Sequence, residues 1–191
     1  IVERYYRFAW FGFLTGGALF LVLAFAIIET DAEIVNLPAA LQSAWFIPHV
    51  VVYFFGYAAA FFAFVAACLH LRRPKARLGV RTAKGKEVQL TYAGFMHLAI
   101  LFAFVLLTAG LVMGALWAKS AWGDYWVWDP KENWALISWL VYVIYLHLRF
   151  TRGFDERRAA WLSISGFAAI IFTYLGMYLL PTAEQSAHLY Q

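Results

Sequence analysis

The sequence predicts an all-α fold: a polytopic transmembrane helical bundle of about five spans, with a cytoplasmic N-terminus and a C-terminus on the outer, periplasmic side. Three observations lead there. First, 64% of the 191 residues are hydrophobic and only 14% are charged, against about 25% charged in an ordinary soluble domain. Second, the apolar residues fall into runs close to the ~20 residues that a helix needs to cross a bilayer. Third, basic residues crowd into alternate links between those runs.

The predicted spans are residues 8–28, 49–71, 92–116, 134–148 and 161–180. The first is preceded by Arg4 and Arg7, is long, and has no Ala-x-Ala site after it, so it reads as a span rather than a cleaved signal peptide. Pro48 and Pro181 lie at span edges, where proline is tolerated. Of the 15 Lys and Arg residues, 13 lie before the first span, between the second and third, or between the fourth and fifth. The other two, Lys119 and Lys131, share their links with Asp124, Asp129 and Glu132. The positive-inside rule makes the basic side cytoplasmic. Residues 30–48, the Trp-rich link 117–133 and the tail 181–191 then share the outer face. The basic stretch from Arg72 to Lys86 reads as topology-setting charge near anionic headgroups; it lacks aromatic interleaving, and no nucleic acid is expected as a partner. The bilayer is. A single cysteine, Cys68, makes neither an internal disulfide nor a CxxCH haem-attachment motif, and in its apolar run it reads as a small buried hydrophobe.

The densest chemical feature is WGDYWVWDPKENWALISW, residues 122–139. With Trp117 just before it, it gathers Trp122, Tyr125, Trp126, Trp128, Trp134 and Trp139 around an Asp129-Pro130 turn, with Asn133 or Glu132 placed to cap the next helix. Scattered tryptophans at a bilayer surface are usually an interfacial belt. Indoles this concentrated around a turn make an apolar shelf suited to a large flat ligand.

Five histidines supply the second feature. Histidine is a standard axial ligand of haem iron. His49 opens the second span on the outer side, and His188 follows the fifth on the same side. Both are candidate metal ligands, placed to grip a porphyrin on the Trp shelf from opposite faces. His147 lies within the fourth span, where an ionisable residue marks a functional site by default. It shares the inner side with His70 and His97, which interhelical hydrogen bonding explains equally well. Lys131, Glu132 and Asp129 are candidates for contact with haem propionates or an incoming protein, and Lys119 is a weaker one; Asp129 also suits loop fixation through its own backbone bonds.

The run WGDYWVWDPKENWALISWLVYVIYLHLR, residues 122–149, resembles the tryptophan-rich signature of the CcsA/ResC family of cytochrome c assembly proteins. So do LQSAWFIPHVVVYFFGYAA (41–59), GALWAKSAWG (114–123) and FTYLGMYLL (172–180) followed by AHLY, and the likeness extends from about Leu37 to Tyr190. The tail SAHLYQ departs from the glycine-rich end usual in the family. The resemblance implies haem b held by His49 and His188 on the outer face, with His147 as the membrane-embedded histidine. It further implies a CcsB/ResB-like membrane partner and an apocytochrome c bearing CxxCH. The implied reaction is thioether attachment of haem, a holocytochrome c synthase activity shared with that partner, in a bacterial cytoplasmic membrane or, alternatively, a thylakoid membrane. Three other functions would use many of the same residues: haem transport or chaperoning without bond-making, a b-haem electron-transfer subunit, and a structural anchor whose tryptophans are only a belt.

Overall fold

The structure is a computed structural model and describes residues 38–81, 87–152 and 155–176. The predicted first span, the tail with His188 and the end of the fifth span lie outside these residues. After a short 3-10 turn, Ala39–Gln42, come helix α1, Phe46–Arg72; strands β1, Arg77–Arg81, and β2, Glu87–Thr91; and helices α2, Tyr92–Trp122, α3, Pro130–Arg152, and α4, Glu156–Tyr174. Helices α1, α2 and α3 are long and apolar enough to cross a membrane. Their outward faces carry large apolar side chains, among them Ile47, Phe54, Phe102, Val105 and Phe150, each more than 60% exposed. A surface of that kind suits acyl chains rather than water. The chain is a helical membrane bundle, as expected.

Small residues set the packing. The buried stripe of α1 is Gly56, Ala59, Ala60, Ala63, Ala66, Ala67 and His70, spaced three and four apart so that they share one helix face. Small side chains let transmembrane backbones approach closely, where packing rather than hydrophobicity drives association. Helices α1 and α2 run antiparallel: Gly56 meets Leu107, Tyr53 meets Gly110, and His49 meets Gly114, stepping in opposite directions. Helix α4 runs antiparallel to α1 too, with Phe64 against Phe167 and His70 Nε2 3.8 Å from Glu156 Oε2. It also packs on α3, where Gly166 receives the fully buried Tyr142 ring. The core therefore sits where α1, α2, α3 and α4 meet, around Ala60, Ala63, Ile100, Tyr142, Tyr145 and Ala160.

Two features differ from the sequence reading. The basic link after α1 holds a small antiparallel hairpin, in the register Arg77↔Thr91, Leu78↔Leu90 and Val80↔Val88. Its cause is the alternation of apolar and polar residues in RLGVR and EVQLT, a period-2 pattern. The Trp-rich link is also shorter than 117–133. Helix α2 continues through Trp122 and ends where Gly123 takes φ 91°, a left-handed conformation open to glycine, and donates its N–H to Lys119 O. Helix α3 begins at Pro130, whose missing N–H costs nothing in a first turn.

Candidate functional site

The loop 123–129 is fixed by its own acids. Asp129 Oδ1 accepts from Lys131 N at 2.8 Å, and Asp129 O accepts the first helical bond from Asn133 N. Glu132 Oε2 reaches back to accept from Asp129 N at 3.1 Å and Val127 N at 2.9 Å. This is a capping box: the residue before the helix caps its first turn, and the third helical residue returns the bond. The motif DPKE is therefore a helix start in which both carboxylates serve the backbone, with Asp129 as the capping residue in place of Asn133. Asn133 Nδ2 instead donates to Trp128 O at 2.9 Å. That bond holds Trp128 at φ 59°, an uncommon conformation for a bulky residue.

Between α1, the ends of α2 and α3, this loop and α4 lies a cavity of about 720 Å³. Sites for cofactor-sized ligands commonly span about 300–1,000 Å³. Seven of the residues singled out in the sequence line it: His49, Trp117, Trp122, Tyr125, Trp126, Lys131 and Glu132. Its lining is mostly apolar, with Lys131 as a cation near its top.

His49 is held from several sides. Its Nδ1 stands 2.9 Å from Gly110 O. A carbonyl can only accept, so Nδ1 carries the proton and the ring's lone pair falls on Nε2. Metal-binding histidines are commonly oriented by such a bond from the other nitrogen to a backbone carbonyl. The ring stacks on Trp117 at 5.7 Å and 20°, and meets Tyr53 edge-on at 4.9 Å. Trp117 is itself pinned, its Nε1 donating to Ala40 O at 2.6 Å, and Trp122 stands edge-on to it at 4.8 Å. Gly114 makes the arrangement possible: a Cβ there would lie 2.7 Å from His49 Cε1.

The other expected site residues sit elsewhere. Trp134 packs on Phe172 at 4.1 Å. Trp139 stacks on Phe104 at 5.6 Å and donates to Thr108 Oγ1 at 2.8 Å, joining α3 to α2. Trp128 is 68% exposed, and Asp129 belongs to the cap. His147 is on the exposed face of α3. Of the two other histidines expected on the inner side, His97 Nδ1 lies 3.4 Å from Tyr145 Oη, and buried His70 has Nε2 3.8 Å from Glu156 Oε2 and an Nδ1 without a hydrogen-bond partner among the described residues. Among the described residues, no three His, Cys, Asp or Glu side chains are grouped to hold a metal ion. A single histidine facing an aromatic cavity suits axial ligation of a porphyrin instead.

The sequence reading missed much of the cavity wall: Tyr53, Tyr57 and Phe61 of α1, and Phe167, Ile170, Ile171, Thr173 and Tyr174 of α4. The α1 set was legible, because His49, Tyr53, Tyr57 and Phe61 recur every four residues along one helix face. Nothing local in the sequence of α4 marks its residues as wall rather than core.

Fold and site together define a multi-pass membrane protein with a tryptophan- and histidine-lined cavity at one end of its bundle. The chain belongs to the family described as cytochrome C assembly protein, which it matches over residues 3–183. It is 38% identical over 185 residues to the cytochrome c biogenesis protein CcsA of Prochlorococcus marinus strain MIT 9515, covering 84% of this chain and 59% of that protein. The protein of the same name from Synechococcus sp. strain RCC307 is 35% identical over 181 residues, 82% of this chain and 58% of the relative. That from Mesostigma viride is 33% identical over 206 residues, 94% of this chain and 68% of the relative. The chain thus spans less than two thirds of the length of the two bacterial relatives.

Proposed function

We propose that this chain is a haem-handling component of cytochrome c assembly. It presents haem b at the outer face of a bacterial cytoplasmic membrane for thioether attachment to the CxxCH motif of apocytochrome c. It works with a CcsB/ResB-like membrane partner. The observation that carries this reading is His49. Its Nδ1 proton is committed to Gly110 O and its ring lines a cavity of cofactor size beside Trp117. That is the preparation an axial ligand needs.

The residues divide the work by position. His49 would bind iron through Nε2, and His188 would supply a second ligand. Trp117, Trp122 and Trp126 supply flat apolar walls for the macrocycle, and Lys131 pairs with a propionate. Asp129 and Glu132 act at one remove, holding the loop that carries Trp126. The haem brings two vinyl groups, and the apocytochrome brings two cysteine thiols. Each thiol S–H adds across one vinyl group, sulfur to one carbon and hydrogen to the other, so the additions balance with no other reactant. What this chain contributes is placement, and holding reactants together can supply several kcal/mol of a barrier. His147, on the exposed face of α3, is assigned to contact with the partner.

The test combines the purified chain, its partner, reduced haem and a CxxCH apocytochrome. Haem that resists acid–acetone extraction from the cytochrome supports the proposal. Haem that binds this chain yet never becomes covalent under those conditions replaces it with a carrier function.

A further inference from the structure

The cavity is deep and has a floor. Its wall on α1 runs from Phe46 to Phe61, about 22 Å at 1.5 Å per residue. It ends on Phe61 and on Phe167 of α4, centred 5.6 Å apart, with Phe64 stacked behind Phe167 at 4.9 Å. Beyond that floor α1 presents Ala63, Ala66 and Ala67, all at most 3% exposed, in one packed cluster with Met96, Ile100, Tyr142 and Tyr145. Protein interiors of this kind are as dense as organic crystals. A rigid macrocycle cannot pass through such a core without unpacking several helices.

The side of the cavity is different. Phe54 and Tyr174 line it yet are 68% and 62% exposed, and Ile171 is 44% exposed. Phe54 belongs to α1 and the other two to α4. Among the described residues, the two helices meet at the floor and leave an opening above it on the side of Phe54, Ile171 and Tyr174.

We propose that haem is loaded into this cavity sideways, out of the lipid, through the opening between α1 and α4, and not through the interior of this bundle. The inference rests on the haem reading above and adds the route. Porphyrin is flat and apolar except for the two carboxylates at one edge, so it favours the bilayer with that edge toward the headgroups. Moving edge-up between Phe54 and Tyr174 it meets apolar and aromatic side chains throughout. Its carboxylates stay level with Lys131 at the cavity top. The Phe61–Phe167 floor then sets how deep it sits.

Two experiments decide the route. The first follows haem uptake by the haem-free full chain in vesicles whose lipid is preloaded with haem, read as growth of the Soret band. Ile171→Trp, which narrows the opening, is expected to slow uptake several-fold. Ile100→Ala, which loosens the packed core beyond the floor, is expected to leave the rate unchanged. Faster uptake in Ile100→Ala with no slowing in Ile171→Trp overturns the route. The second needs no haem. A nitroxide at Ala58→Cys, in a Cys68→Ser background, reports collisions with oxygen and with a water-soluble nickel chelate. Oxygen access matching that of lipid-facing Phe55→Cys is expected; low access, as in a closed interior, overturns the opening. If the unaltered protein takes up no haem, the proposed function and the cargo fall together, while the label still decides whether the cavity opens to lipid.

Discussion

Replacing Gly114 by alanine puts a methyl group against the ring of His49. The added Cβ would lie 2.7 Å from Cε1 and 3.0 Å from Nδ1. Carbon–carbon contacts settle at about 3.5–4.0 Å, so the ring has to retreat by about 1 Å. Retreat pulls Nδ1 from Gly110 O, now 2.9 Å away, and tilts the ring off Trp117. Overpacking of this kind costs about 1–3 kcal/mol of stability. Disturbing the group that orients a metal-bound histidine typically weakens metal binding about 10- to 100-fold. Gly166→Ala is the control: its Cβ would lie 2.8 Å from Tyr142 Cζ, a similar clash at a contact outside the cavity. Thermal unfolding in detergent is expected to show both variants destabilised. Haem titration is expected to show affinity lost in Gly114→Ala alone. Equal haem affinity in Gly114→Ala and the unaltered protein would refute the reasoning that seats the ligand histidine on α2.

Further perturbations separate loop, brace and charge. Glu132→Ala removes the acceptor of two backbone N–H groups and is expected to cost about 0.5–2 kcal/mol, seen as faster hydrogen exchange at Val127 and Asp129. Trp139→Phe keeps the stacking on Phe104 but loses the bond to Thr108; it should lower stability by about 0.5–1.5 kcal/mol and leave the haem spectrum unaltered, because Trp139 lies off the cavity. Lys131→Met should weaken haem binding about tenfold or more, the worth of one charged hydrogen bond, and binding of haem dimethyl ester, which lacks the carboxylates, should be insensitive to the same change.

The sequence carried the helices and the composition of the site further than its geometry. Long apolar runs and the small-residue stripe from Gly56 to His70 follow from patterns of three and four residues. The WDPKEN segment announced a turn and a helix start, and the capping box realised both. His49 was legible as a candidate because a histidine at a span edge beside many tryptophans is unusual. Its seat was not, since Gly110 and Gly114 lie more than sixty residues away and glycine advertises no contact. For the same reason the tryptophans could not be sorted. Trp117 and Trp122 entered the cavity because α2 runs on to Gly123, whereas Trp134 and Trp139 turned with α3 toward Phe172 and Phe104. The hairpin was hidden by the basic residues around it, which set topology whatever the backbone does.

The reduced-minus-oxidised spectrum of the purified protein and of His49→Ala, each recorded with and without added imidazole, bears most directly on the haem site. A six-coordinate b-type spectrum in the unaltered protein, lost in His49→Ala and regained when imidazole occupies the vacated position, is the predicted result. A haem spectrum that His49→Ala leaves unchanged would contradict it and move the site away from the Trp117 wall.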